Sequence, residues 1–134
     1  MPIYKDYICL NCGKKCIKRS NTMGKYCSNR CSGDAKKKRS IERWLSGEKM
    51  PHRGNIREWL AEQNGYKCNH CGLSDWQNKP ITLWVDHIDG NATNNKPDNF
   101  QLICPNCDSQ QDTFGGKNYG KGRKSRGLPQ YGSV

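Results

Sequence analysis

Eight of the nine cysteines in this 134-residue chain fall into four short pairs, Cys9/Cys12, Cys27/Cys31, Cys68/Cys71 and Cys104/Cys107. Only 33% of the residues are hydrophobic and the mean hydropathy is −1.04. A chain this short and polar buries too little apolar surface to be held by a core alone. Thiolates separated by two or three residues suit tetrahedral zinc, whose binding can supply much of the folding free energy of a small domain. Disulfides are the competing use. Residues 1–10 show no basic segment followed by an apolar run, so no secretory signal is expected. The cysteine count is odd and the expected compartment is the reducing cytoplasm, which favours zinc. No stretch is apolar enough to span a membrane; the longest apolar run surrounds Ile81 to Val85.

The pairs divide the chain into two similar units. Cys9-Leu10-Asn11-Cys12-Gly13 reads as a knuckle, and Ser28 as the N-cap of a helix carrying Cys31 in its first turn. Knuckle, hairpin, then helix is the treble-clef order. Cys16 is left over as a free thiol. Lys36 to Leu45 reads as a basic helix with Ile41, Trp44 and Leu45 on one stripe. Gly47, Pro51 and Gly54 mark a linker over 47–54, in which His52 has no ligand-like spacing. A second helix is expected from Asn55, with Glu58 completing a capping box, to Gly65; its stripe is Ile56, Trp59 and Leu60.

Cys68-Asn69-His70-Cys71-Gly72 is a second knuckle, and Cys104-Pro105-Asn106-Cys107 opens another helix. With four thiols available, His70 reads as a surface residue. Between the pairs, Ile81, Leu83 and Val85 alternate with Thr82, Trp84 and Asp86 as in a half-buried strand. Gly90 to Asp98 reads as loop, and Phe100 to Ile103 as a second strand with Asn99 at its start. The domain expectation is therefore a four-cysteine finger with basic helix over 1–46, a linker over 47–54, a second domain over 55–118 and a basic tail over 119–134.

The net charge of +11 is segregated: residues 1–67 carry +10, residues 68–116 carry −4, and residues 117–134 carry +5. An acidic centre between basic arms points to a polyanion partner, since basic surface gains affinity by counterion release while clustered carboxylates need a cation to approach phosphate. The candidate nucleic-acid contacts are Lys36, Lys37, Lys38, Arg39 and Arg43 on the first helix, and Lys117, Lys121, Arg123, Lys124 and Arg126 in the tail.

The acidic centre also holds residues able to hydrolyse a phosphodiester. His87 supplies an imidazole, the side chain best suited to accept a proton from water at neutral pH. Asp86 and Asp108 offer hard oxygens suited to Mg²⁺ or Mn²⁺. Adjacent strand residues face opposite ways, so Asp86 and His87 serve one phosphate only if the strand ends or bulges there. Asn99 is placed to hold the loop backbone.

Asp86-His87-Ile88-Asp89-Gly90-Asn91, then Asn99, then Leu102-Ile103-Cys104-Pro105-Asn106-Cys107-Asp108, and Gly116-Lys117-Asn118, resemble the HNH endonucleases of the ββα-metal (His-Me finger) class, in the phage-type form with paired Cys-x-x-Cys. The resemblance covers residues 55–118. It implies a small α+β, zinc-stabilised fold: a ββα-metal (treble-clef) domain with a four-cysteine zinc site of Cys68, Cys71, Cys104 and Cys107. The domain follows an accessory finger of Cys9, Cys12, Cys27 and Cys31 and a helical linker. It makes His87 the general base, Asn99 its orienting residue, and Asp86 and Asp108 ligands of one catalytic Mg²⁺ or Mn²⁺. Asp108 stands where the family usually has His or Asn. The expected activity is cleavage of double-stranded DNA, nicking as a monomer or cutting both strands as a homodimer, by a phage-encoded protein in the bacterial host cytoplasm. The alternative is a non-catalytic zinc-dependent nucleic-acid-binding protein with a degenerate site.

Overall fold

Local hydrogen bonding around the first cysteine pair decides how the chain begins. In the computed structural model, which describes residues 2–20, 23–114 and 127, β1 (Tyr4–Ile8) and β2 (Lys15–Arg19) run antiparallel, from Tyr4↔Arg19 to Ile8↔Lys15. The knuckle is the turn of this hairpin. Cys9 donates its N–H to the Lys14 carbonyl and Gly13 to the Cys9 carbonyl, both at 2.9 Å, and Gly13 takes φ +74°, a conformation that strains residues with a Cβ. Sequence reasoning sets a separate hairpin between knuckle and helix. The described strands instead flank the knuckle, because the bond from Cys9 to Lys14 is the first rung of an antiparallel ladder that continues outward.

Helix α1 (Asn29–Leu45) joins the Ser28-capped turn and the basic stretch from Lys36 into one continuous helix. Ser28 caps it as expected, its hydroxyl accepting the Cys31 N–H at 3.2 Å, so Cys31 is fixed in the first turn. Trp44 is buried, Ile41 is half-buried and Leu45 is exposed.

The chain divides into two compact units between Lys49 and Met50. Helix α2 (Arg53–Asn64) opens the second. Asn55 is not its cap: the His52 imidazole Nδ1 accepts the Gly54 N–H at 3.1 Å, and the Asn55 N–H bonds the His52 carbonyl at 2.9 Å. A histidine ring competes for the same orphan donors that a capping Asn would satisfy. The helix ends at Gly65 (φ +82°) as expected.

The second knuckle repeats the first bond for bond. Cys68 donates to the Leu73 carbonyl at 3.0 Å and Gly72 to the Cys68 carbonyl at 2.9 Å, and Gly72 has φ +76°. A short hairpin, β3 (Asp75–Trp76) and β4 (Lys79–Pro80), leads into β5 (Trp84–His87). Strand β5 pairs antiparallel with β6 (Phe100–Ile103) in unbroken register from Trp84↔Ile103 to His87↔Phe100. Ile81, Leu83, Val85 and His87 are buried while Thr82 and Trp84 are exposed, the alternation a one-sided sheet requires. Helix α2 packs on β5 and β6, burying Ile56 and Leu60. Helix α3 (Pro105–Ser109) follows β6 directly. Among the described residues, no helix is long and apolar enough to cross a membrane. The tail beyond residue 114, with Lys117, Lys121, Arg123, Lys124 and Arg126, lies outside the described residues apart from Gly127.

Candidate functional site

Each unit gathers one quartet of sulfurs. The Sγ atoms of Cys9, Cys12, Cys27 and Cys31 lie within 4.8 Å of one another, as do those of Cys68, Cys71, Cys104 and Cys107. Four ligands about 2.3 Å from a tetrahedral zinc stand about 3.8 Å apart. Cys12 and Cys27 are 3.7 Å apart and Cys71 and Cys104 are 3.8 Å apart. These spacings are far beyond a disulfide bond, and all nine thiols are free.

Proton affinities within the quartets are polarised. The backbone N–H of Cys12 leads in lowering the Cys9 thiol to about 6. Burial raises Cys68, but N–H groups of Cys71 and Cys104 outweigh it and bring that thiol to about 6. Sharing a proton with Cys31 pushes Cys27 up to about 12, and burial, then Cys104, pushes Cys107 up to about 12. Crowded thiolates repel unless a cation neutralises them, so both quartets fit a structural metal. Cys16 stands apart, its thiol directed at the Lys14 carbonyl at 3.5 Å. His70 is exposed and in neither quartet.

The second quartet positions an acidic pair. Cys104 is the N-cap of α3, its sulfur accepting the Cys107 N–H at 3.5 Å, and the following turn projects Asp108 toward β5. Asp86 Oδ2 accepts from Gln101 Nε2 at 3.0 Å, across the strand pair, and from Gln111 Nε2 at 3.1 Å. The same Gln111 nitrogen reaches Asp108 Oδ1 at 3.2 Å. Burial, and then the charge of Asp86, raises the Asp108 carboxyl above its ordinary value, with the Gln111 hydrogen bond opposing. Two carboxylates bridged by one amide hold excess negative charge on hard oxygens, a donor set that fits Mg²⁺ or Mn²⁺.

His87 lies on the other face of β5. The residue is 8% exposed, and its ring packs against Phe100 with centroids 4.6 Å apart. The register carries no bulge, but β5 does end at His87. Imidazole Nε2 lies 3.0 Å from Asn95 Oδ1. A carbonyl oxygen only accepts, so the proton belongs on Nε2 and Nδ1 is the nitrogen able to take a proton from water.

The loop after β5 is an ordered hydrogen-bonded structure. Asp89 accepts from the Asn91 N–H at 2.8 Å, Asn94 Nδ2 at 2.8 Å and Asn99 Nδ2 at 2.9 Å; these bonds, Asn94's foremost, hold its carboxyl down at about 2. Asn99 also accepts the Asp89 N–H at 3.2 Å and donates to the Asn94 carbonyl at 2.9 Å. It closes a 3₁₀ turn, Pro97–Asn99, just before β6, instead of beginning the strand. Gly90 (φ +69°) passes so close to Thr113 that a Cβ would lie 2.5 Å from its methyl, so this approach of the loop to the post-α3 segment favours a glycine. Sequence reasoning misses Asp89, Asn95 and Gln111. The only hint is their place within or beside the motif.

On α1, Lys36, Lys38 and Arg39 are exposed and Lys37 is half-buried. Lys38 Nζ bonds Asn11 Oδ1 at 3.2 Å. Arg43 is engaged by Glu48 at 2.6 Å. In the second unit, Arg53 at the start of α2 donates to the Val85 carbonyl at 3.4 Å, bringing a guanidinium to the backbone of β5.

Fold and site together define a small α+β protein with two four-cysteine clusters and, beside one of them, an acidic pair and a histidine at a strand end. Among curated proteins, the chain is 50% identical over 56 residues to H-N-H endonuclease F-TflIV of Escherichia phage T5. That likeness is to part of an HNH endonuclease and falls on a stretch, not the whole, of either chain. The matched stretch covers 42% of this chain and 25% of that relative. No family model matches the chain, and no solved structure does.

Proposed function

We propose that this chain is a zinc-stapled HNH endonuclease that hydrolyses DNA phosphodiester bonds with one Mg²⁺ or Mn²⁺, nicking as a monomer, encoded by a phage and acting in its host's cytoplasm. The observation that carries this reading is the pairing of Asp86 with Asp108 next to a histidine whose Nε2 is engaged by Asn95. Asp86 and Asp108 would hold the cation. That cation would offset charge on the scissile phosphate and on the departing oxygen. His87 Nδ1 takes the proton of the attacking water. Phe100 fixes the plane of its ring, and Asn99 ties down the loop that carries Asn95. The two zinc quartets hold structure only.

Supercoiled plasmid incubated with the full chain tests the reading. Mg²⁺ or Mn²⁺ should convert supercoils to open circles, and EDTA should stop the reaction. Supercoils persisting across metals and salt concentrations, with DNA binding intact, would establish the non-catalytic alternative. Asp108, a carboxylate beside Asp86, is the observation that favours that alternative.

Asn95→Ala should cut the rate about tenfold and alter the pH–rate profile, because the unanchored ring samples the wrong tautomer. A pH profile identical to wild type would remove Asn95 from the account.

The basic face of α1 is proposed to meet the DNA backbone, with the tail residues Lys117, Lys121, Arg123, Lys124 and Arg126 as further partners of phosphate. Replacing Lys36, Lys37, Lys38 and Arg39 with Ala should weaken binding. It should also lower the slope of log K against log salt by about 0.9 for each phosphate that the protein ceases to neutralise. An unchanged slope in fluorescence titrations would mean the run is ordinary solvated surface. Arg43, neutralised by Glu48, should contribute less than its neighbours.

A further inference from the structure

Gln111 occupies a place between the two carboxylates that the proposed mechanism leaves unexplained. It follows α3, its N–H bonding the Asp108 carbonyl at 3.1 Å, so its side chain rises beside that of Asp108. One amide nitrogen then serves Asp86 at 3.1 Å and Asp108 at 3.2 Å. Asp86 is also held by Gln101 at 3.0 Å, so the aspartate is fixed from two sides. An amide end that lies against two carboxylate oxygens can be exchanged for the other end by a half-turn of the terminal torsion, which is broad and two-fold. The half-turn brings Oε1 to the position of Nε2.

Ligand oxygens around an octahedral Mg²⁺ at 2.0–2.1 Å stand about 2.9 Å apart. The observed separations exceed that by a few tenths of an ångström. We propose that Gln111 is the third protein ligand of the cation, its Oε1 joining the carboxylates of Asp86 and Asp108; this rests on the cation site of the proposed function. The amide nitrogen lies between the two carboxylates, and the half-turn would set the amide oxygen there to face the cation. Charge explains the residue type. Two carboxylates balance a divalent ion, and a neutral third oxygen leaves the site without surplus negative charge facing a phosphate. An aspartate at position 108 is accommodated because its neighbour is an amide.

The test is Mn²⁺ binding to the zinc-loaded full chain, read by the electron paramagnetic resonance of free Mn²⁺ without DNA. Gln111→Leu, which keeps bulk and loses the oxygen, should weaken Mn²⁺ about tenfold. Gln111→Glu, which keeps an oxygen and adds charge, should bind Mn²⁺ at least as tightly as wild type. Zinc content and melting temperature report folding. Wild-type affinity in Gln111→Leu overturns the proposal, and so does equal weakening in both variants, which would make Gln111 only a hydrogen-bonding support. If the Leu variant loses zinc, the Glu variant decides alone, and weaker binding there overturns the assignment. Asp86→Asn separates the levels. If wild type binds no Mn²⁺ that Asp86→Asn abolishes, the cation site itself falls; if Asp86→Asn abolishes binding while Gln111→Leu leaves it intact, only Gln111 is dismissed.

Discussion

His87→Ala should lower plasmid cleavage by two to four orders of magnitude, the usual contribution of a positioned general base, while zinc content and DNA affinity stay at wild-type levels. The ring does two things at once. Packed on Phe100 and 8% exposed, it closes the end of the sheet, and through Nε2 it is held to Asn95. Truncation therefore leaves a small void as well as removing the base, and a modest fall in melting temperature is expected. The loss of stability does not imitate the loss of rate, because cleavage is measured well below the melting temperature. His87→Gln, which refills much of the void without supplying a basic nitrogen, should recover stability and leave cleavage depressed. A His87→Ala protein that retains its zinc, binds DNA and still cleaves at the wild-type rate would end the nuclease assignment of this residue. Arg53, whose guanidinium reaches the backbone of β5, is outside that proton-transfer step, so Arg53→Ala should not reproduce a base-deficient pH profile.

The parts legible in the sequence are those set by neighbours in the chain. Thiol spacing fixes a cysteine knuckle because its ring of hydrogen bonds closes within six residues, and the two knuckles, at Cys9 and Cys68, are alike to the individual bond. Ser28 and Gly65 are legible because capping is satisfied within one helical turn. His52 escapes notice because an imidazole rarely caps, yet here its Nδ1 is a serviceable acceptor. The Asn-rich loop reads as featureless in the sequence, although its amides find partners through Asp89 and Asn99. Nothing in composition tells which of Asn91, Asn94 and Asn95 reaches Asp89 and which reaches His87, since that depends on how the loop folds back onto β5. Gln111 is harder still. Its meaning comes from the approach of the segment after α3 to Asp86, 25 residues earlier, an approach that Gly90 permits by having no Cβ against Thr113.

Loss of Cys104 should be the most damaging single change to the second unit. Its sulfur belongs to the quartet, caps α3 through the Cys107 N–H, and is 2% exposed, while its own N–H donates to Cys68 Sγ at 3.4 Å. It is also the hinge between β6, which carries Gln101, and α3, which carries Asp108. Structural zinc binding is worth about 10–16 kcal/mol in small units, against a typical domain stability of about 5–15 kcal/mol. Cys104→Ser, with a poor zinc ligand in place of a thiolate, should therefore leave the second unit largely unfolded at room temperature. Zinc by elemental analysis should fall from about two to about one per chain. Amide signals of residues 50–114 should collapse in the two-dimensional NMR spectrum while those of the first unit persist, because the two quartets share no residue. Cleavage should vanish with them. Cys16→Ser supplies the contrast: its thiol lies in neither quartet, so zinc content and cleavage should remain at wild-type values. Two zinc ions retained by a folded Cys104→Ser protein would mean that the second unit is held by the apolar packing of α2 on the β5–β6 pair, and the quartet would lose its structural assignment.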